Sequence, residues 1–538
     1  AQTAGIFQKD EGEALNVRGS RDDATFFYID GVKVRASNKI PKASIEQMTV
    51  ITGGLPASYG DATGGVISIT TRGPSNDFFG GLELSSSEGL DPYGNNLFSF
   101  NVSGPLKKND FGKSVLGFFL SGEYESLKDP KPSAVGAYKL KDGVMQNLQE
   151  NPLIFSSNNG SVASERAAEF ITMKDIDRID VRQNVARGNS SLQGKIDFKP
   201  NLKTNFSLGG NFSNSNSRQS VYDYSLFNSG NNPEYIDQSW RVYGRLQHSF
   251  GSNDESSDAS IKNAFITLQA DYSKDNKVRQ DANHRDKLFH YGYIGKFTPL
   301  RKGTIVTPDE WGNEDHTINI IGIDSLYNIS PNDTLFGVKT STLVIDGGVN
   351  TNSPNFELSN HMISDFTFDR GGLNPLAENY TQSYFDFMGD QPVTSLEEIR
   401  GSGALINGAR SENVYSIFFN AGREYDGYTK IDDSQFRITG SFSADVNHHA
   451  IQVGFEYEKR DDRYYNVNPL GLWGIADKNV NNYIDEFEGA YVFSGLDSLN
   501  GTIISQSHSY QYDNMSNFAK SFRQAHGINR EDLVDIHS

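Results

Sequence analysis

The chain has 538 residues, a formal net charge of −19, no cysteine and a mean hydropathy of −0.54. That acidic balance excludes a nucleic-acid partner, whose phosphates require a basic footprint. The longest apolar stretches run only a few residues, as at 115–120, so no helical membrane span is possible, since that needs about 20 apolar residues. Absence of cysteine suits a chain that crosses an oxidising compartment. The N-terminus lacks a basic start, apolar core and small-residue cleavage site, so the chain is expected to begin after any signal peptide.

Residues 1–77 read as a compact unit of short strands and turns, with "NVRGS" at 16–20, "FFYIDGVKV" at 26–34, "IEQMTVITGG" at 45–54 and "SYGDATGGVISITTRG" at 58–73. The last stretch is Gly-rich and then β-branched. A phosphate loop would run from a strand into a helix and end on Lys followed by Ser or Thr, and neither feature is present. Gly60, Gly64 and Gly65 instead supply tight turns, and residues 66–71 form a strand that hands the chain to a new region at Phe78.

From residue 78 the dominant pattern is period two, the signal of half-buried strands. Phe98, Phe100 and Val102 alternate with Ser99, Asn101 and Ser103. Leu116, Phe118 and Leu120 follow, then Leu192, Ile196 and Phe198, and Phe206, Leu208, Gly210 and Phe212 after a short turn. Ile266, Leu268, Ala270 and Tyr272 continue it, as do Phe289, Tyr291, Tyr293 and Phe297. A late hairpin sets Phe436, Ile438, Gly440 and Phe442 against a polar face, and returns through Ile451, Val453, Phe455 and Tyr457.

The opposite face is small and charged by turns, which suits a water-filled lumen better than a sandwich core. The spacing predicts strands of about 10 to 15 residues, longer than the usual 5 to 6 and close to the 9 to 11 of a tilted membrane strand. Connections near 104–114, 199–203, 251–260 and 447–449 are short, whereas those near 126–190, 213–238 and 460–510 are long, the asymmetry of outer-membrane barrels. With 35 Phe, 25 Tyr and 52 Gly, the composition agrees. Residues 78–298 and 412–460 are therefore predicted to cross the membrane, with Phe98, Phe118, Ile266, Phe442 and Phe455 facing lipid.

The N-terminal motifs, in order within about 60 residues, resemble the plug of TonB-dependent outer-membrane transporters, on Val17, Arg18, Gly19, the Asp30-Gly31 turn, Ile45-Glu46, Val50, Tyr59-Gly60, Gly64-Gly65-Val66-Ile67 and Ile69. Their form is similar to the Oar-like branch of Bacteroidetes transporters and less like the SusC glycan importers. The resemblance implies an all-β transmembrane barrel, antiparallel and of 22 strands, with an α+β plug in its lumen, of which residues 1–77 and 78–538 cover part. Some 11 or 12 barrel strands are expected. It further implies import of a substrate bound at the cell surface, with TonB, ExbB and ExbD as partners, outer-membrane lipid and lipopolysaccharide around the barrel, and a surface lipoprotein as a possible companion. A plugged barrel that serves adhesion or secretion without import is the alternative; a passive porin is disfavoured because a plug blocks diffusion. Arg18, Arg21 and Arg72 are expected to lock the plug to acidic residues of the barrel wall.

Strand parity places an eighth strand at 286–298 and makes 299–411 a periplasmic insertion, or else an even number of hidden strands. Within the loop after 460, "DKNVNNYIDEFE" has the spacing of an EF-hand-type calcium loop, with Asp477, Asn479, Asn481, the Tyr483 carbonyl, Asp485 and Glu488 as ligands and Asn482 in place of the usual Gly. His448 and His449 are adjacent on a short turn, which disfavours a shared metal. No nucleophile-base set, zinc spacing or dinucleotide fingerprint is present, so neither an enzyme nor an organic cofactor is expected.

Overall fold

In a computed structural model, the described residues are 6–8, 15–17, 25–34, 40–54, 59–60, 64–158, 161–250, 261–306, 357–446 and 449–483, with short pieces at 316–320, 334–335, 338–339, 491–497, 501–505, 515–530 and 534. A small N-terminal sheet contains β1 (Thr25–Ile29), β2 (Val32–Val34), β3 (Ile45–Ile51) and β4 (Gly65–Thr71) in the order β2-β1-β4-β3. Asp30 and Gly31, with φ of 51° and 75°, close the two-residue turn between β1 and β2. Positive φ at both central positions is the type I′ geometry that matches strand twist, and Asp-Gly is a preferred pair for it. Ile29, Val32, Val66 and Ile67 are buried in its small core.

The second unit is one antiparallel sheet of nine long strands. They are β5 (Phe79–Ser86), β6 (Asn96–Lys108), β7 (Ser114–Leu127), β8 (Arg187–Asn201), β9 (Thr204–Arg218), β10 (Glu234–Phe250), β11 (Ile261–Gln280), β12 (Tyr428–Val446) and β13 (His449–Val467), paired in chain order. Alternation sorts its faces in the reverse of a water-soluble sheet. Leu84, Phe98, Phe212, Leu208, Leu268, Phe442 and Phe455 are exposed, while Ser121, Gln193, Asn211, Arg241, Asp271 and Arg437 are buried. An exposed apolar face of this extent is stable only against lipid. Register carries it from strand to strand: Leu208 faces Gly244, Leu246 faces Leu268, Ile266 faces Phe442, and Phe442 faces Val453.

Among the described residues the wall holds nine strands where 11 or 12 were expected of the chain, and the runs at 286–298 and 412–424 are not part of it. β11 ends at Gln280 and its next neighbour is β12, starting at Tyr428. Strand parity along the wall sets the described residues of 281–427 at the same end as the connections after β7 and β9, the outer end, where the expectation for 299–411 had put the periplasmic side.

That outer segment folds as a domain. The strand Gly295–Val306 pairs with Glu357–Arg370. Helix α1 (Asp142–Glu150) of the 128–186 connection meets α2 (Pro375–Met388), followed by α3 (Leu396–Gly401). Ile294, Phe297, Phe366, Tyr380, Tyr384, Ile399 and Leu153 share one apolar core, and Leu140, Leu148, Phe227, Val414 and Ala421 a second. Of the alternating residues at 289–297, Phe297 is buried in the first of these cores and Tyr291 elsewhere in the outer domain, while Phe289 is exposed. Asp129 closes the base of the 128–186 connection, accepting from Arg182 Nη2 at 2.6 Å.

Candidate functional site

The buried face of the nine-stranded wall meets the N-terminal domain at the Asp30-Gly31 turn. Asp30 is 5% exposed. Its Oδ1 accepts from the Thr71 backbone N–H at 2.9 Å, and Oδ2 accepts from Thr71 Oγ1 at 2.6 Å and from Tyr243 Oη at 2.8 Å. Two of these bonds fasten β4 to the turn, and the third fastens the turn to β10 of the wall. Arg437 on β12 donates through Nη2 to the Gly31 carbonyl at 3.2 Å and through Nε to Asp271 Oδ1 on β11, also at 3.2 Å. Arg437 and Asp271 are each 1% exposed, so this ion pair is fully out of water.

Small residues make the contact possible. A Cβ at Gly31 would lie 3.3 Å from Arg245 Nη2. Gly209 stands directly opposite Tyr243 across β9 and β10, and a Cβ there would sit 2.6 Å from the tyrosine Cζ and Oη. The tyrosine ring therefore lies over Gly209, aimed at Asp30. Nearer the wall's first strands, the Lys42 N–H donates to Glu123 Oε2 at 3.1 Å, and the Ser75 N–H to Ser103 Oγ at 3.0 Å.

The remaining motif residues fall around this docked turn. Tyr59 sets its ring edge-on to Tyr28 at 5.1 Å, Gly60 has φ of 59°, Gly64 is half-buried, and Gly65 opens β4 beneath Val17. Glu46 is exposed on β3. Arg72, expected on an acidic wall residue, is exposed and donates through Nε to the Ile45 carbonyl at 3.4 Å, within its own domain. Arg18, Gly19 and Arg21 lie outside the described residues. Among the described residues, the contact at the turn takes its carboxylate from the N-terminal domain and its tyrosine and arginine from the wall.

Four of the six residues expected to form a calcium loop lie among the described residues. Asp477 and Asn479 lie in helix α4 (Leu470–Val480), where side chains two apart point to different faces. Asn479 Nδ2 donates to the Ile475 carbonyl at 2.7 Å. Asn481 Oδ1 accepts from Arg523 Nη2 and the Val534 N–H, both at 3.0 Å, and a guanidinium there repels a cation. Tyr483 is buried and bonds the Arg530 carbonyl through its hydroxyl. Asp485, Glu488 and His448 lie outside the described residues, and His449 is exposed on β13. Among the described residues no group of three acidic or histidine side chains is arranged for a metal.

One titratable pair was missed. His284, just past β11, places Nε2 2.7 Å from Asn374 Oδ1 at the start of α2 and 3.1 Å from Glu424 Oε2 at the approach to β12. Burial alone would lower its pKa, but the Glu424 hydrogen bond and charge, with Asp281 behind them, outweigh that and hold it above the ordinary histidine value.

Residues 2–66 match the family described as TonB-dependent Receptor Plug Domain. The N-terminal domain is similar to the plug of that family. Docked on an antiparallel wall with an apolar outer face, it gives this chain the architecture of a plugged outer-membrane β-barrel. A curated relative, the probable TonB-dependent siderophore receptor PirA of Acinetobacter baumannii, is 30% identical over 141 residues, covering 22% of this chain and 18% of that protein. Similar solved structures include the siderophore receptor PirA of Acinetobacter baumannii (13% identity, TM-score 0.35, 84% of this chain and 51% of that one). Another is FpvA of Pseudomonas aeruginosa bound to heterologous pyoverdines (11% identity, TM-score 0.37, 86% and 49%). The chain spans about half the length of these structures.

Proposed function

We propose that this receptor binds a substrate at the cell surface and imports it through the barrel when TonB, energised by ExbB and ExbD, pulls on the plug. The observation that carries this reading is the Asp30 latch: a plug carboxylate held by one wall hydroxyl and two plug donors. Such a contact keeps the plug seated at rest, and its wall half is a single hydrogen bond of about 1.5–3 kcal/mol, within reach of a mechanical pull. The outer membrane offers no nucleotide or ion gradient of its own, so the work has to come through the plug. The folded outer domain is the natural place for first contact with substrate, with outer-membrane lipid and lipopolysaccharide around the wall and a surface lipoprotein as a further partner.

The curated relative is described as a siderophore receptor, which supports a metal chelate as the first substrate class to try. The motif forms of the plug support placement near the Oar-like branch of Bacteroidetes. Uptake of radiolabelled ferric siderophores, chosen as a chemically diverse panel, should depend on both this receptor and TonB. Surface binding of a chelate with no TonB-dependent accumulation, across a panel that TonB-dependent controls do import, would favour adhesion or secretion instead.

A further inference from the structure

We propose that Ser121, Gln193, Asn211 and Arg241 form a binding site for one small anion, enclosed between plug and wall one step outward of the Asp30 latch. The four residues stand in a single cross-strand row. Ser121 on β7 faces Gln193 on β8, Gln193 faces Asn211 on β9, and Asn211 faces Arg241 on β10. Directly opposed residues hold their Cβ atoms about 4.5–5.5 Å apart, so the longer side chains at either end reach toward Asn211.

All four are buried, with exposures of 0%, 1%, 5% and 2% in that order. Among the described residues, Ser121 Oγ, both amide atoms of Gln193 and of Asn211, and Nε and Nη1 of Arg241 have no hydrogen-bond partner. Isolated buried polar atoms without partners are uncommon in folded proteins, and seven in one row are far outside that pattern. A wall meant only to pack against the plug would carry apolar or self-paired groups here, as Ser213 and Ser239 pair with each other at 2.8 Å on the same two central strands.

Charge selects the ligand. Arginine stays protonated in proteins, so burial leaves Arg241 cationic, and a buried cation needs compensation. It lies within electrostatic reach of Asp30, Asp271 and Arg437. Asp30 is occupied by Thr71 and Tyr243, and Asp271 Oδ1 by Arg437. Arg437 is further paired with Glu456 Oε1 at 3.7 Å, whereas Arg241 makes no ion pair within 4 Å among the described residues, so its guanidinium is the cation left without a counter-ion in contact. Water satisfies donors but supplies no charge. A halide or a carboxylate accepts from the arginine and both amide nitrogens and supplies the guanidinium with a counter-charge in contact. The site rests on the plug being docked and is independent of which substrate is imported.

The experiment uses the purified full-length receptor in detergent. Crystals grown in sodium bromide should show one anomalous peak within hydrogen-bonding reach of Arg241 Nε and Nη1. In solution, chloride or acetate should raise the thermal midpoint of the plug over gluconate at equal ionic strength. A rise with chloride assigns a halide site, and a rise with acetate alone assigns the row to a ligand carboxylate. Arg241→Met should lose the rise. Asn211→Asp, which builds a carboxylate into the row, should fold and be insensitive to either anion, and it decides the matter if Arg241→Met does not assemble. No bromide peak, with Arg241 bonded to Asp271 Oδ2 or to water alone, overturns the proposal, as does an undiminished anion response in Asn211→Asp.

Discussion

Tyr243→Phe removes one oxygen atom and with it the only hydrogen bond from the wall to Asp30 among the described residues. The ring stays over Gly209, so packing is preserved. A hydrogen bond to a charged acceptor is worth about 1.5–3 kcal/mol. Asp30 keeps both donors from Thr71, which holds the expected loss to the lower half of that range. At 1.36 kcal/mol per tenfold, the docked-to-undocked ratio of the plug should fall by about 10- to 50-fold. Hydrogen–deuterium exchange of the purified receptor reads this directly. Peptides covering residues 25–34 and 65–71 should exchange faster by that factor, while wall peptides covering 204–218 and 428–446 should not change. Gly209→Ala, which drives a methyl group into the tyrosine, should loosen the same plug peptides. Equal acceleration of plug and wall, or plug exchange within twofold of the parent, would refute the latch.

Phe442→Arg places a charge on the lipid face between Ile266 and Val453 and should cost about 2–4 kcal/mol, read as loss of heat-resistant migration in detergent gels. The raised pKa of His284 gives the outer domain a pH dependence. A group whose folded pKa lies above its unfolded value stabilises fully below the unfolded value, about 6.5, and loses that contribution as pH rises through the folded one. Fluorescence of Trp473, which donates to the Tyr291 carbonyl beside this histidine, should report weakening of the domain over that alkaline-going window, and His284→Gln should flatten it. Cysteines at the exposed Phe170 and Phe387 should react with an impermeant maleimide on whole cells, because both connections lie at the outer end.

The wall was legible in the sequence because its information is local. Alternation along Leu192–Phe198 or Phe436–Phe442 specifies a two-faced strand without knowledge of any neighbour. The Asp30-Gly31 turn was legible for the same reason, since positive φ restricts residue choice at two adjacent positions. What failed was telling lipid from a protein core. Phe289, Tyr291 and Phe297 alternate as wall strands do, yet the latter two are buried in the outer domain, and period two does not say what covers a face. The latch was hidden by distance: Tyr243 is 213 residues from Asp30, and its luminal neighbours gave no local signal except the facing Gly209. At 477–488 the oxygen-bearing residues matched a calcium loop, but Leu470, Trp473, Ala476 and Val480 carry helical spacing through its start, and the helix formed. That apolar periodicity was readable in the sequence.

Photo-crosslinking in living cells measures plug seating where it matters. A benzophenone amino acid at Arg245, whose side chain lies against Gly31, should crosslink to the plug turn in resting cells. In cells with TonB and an iron-limited medium containing an imported chelate, the yield should fall, and in cells without TonB it should stay at the resting level. Absence of any plug–wall crosslink in both strains, with the receptor assembled in the outer membrane, would contradict a plug held on the wall by the Asp30 turn.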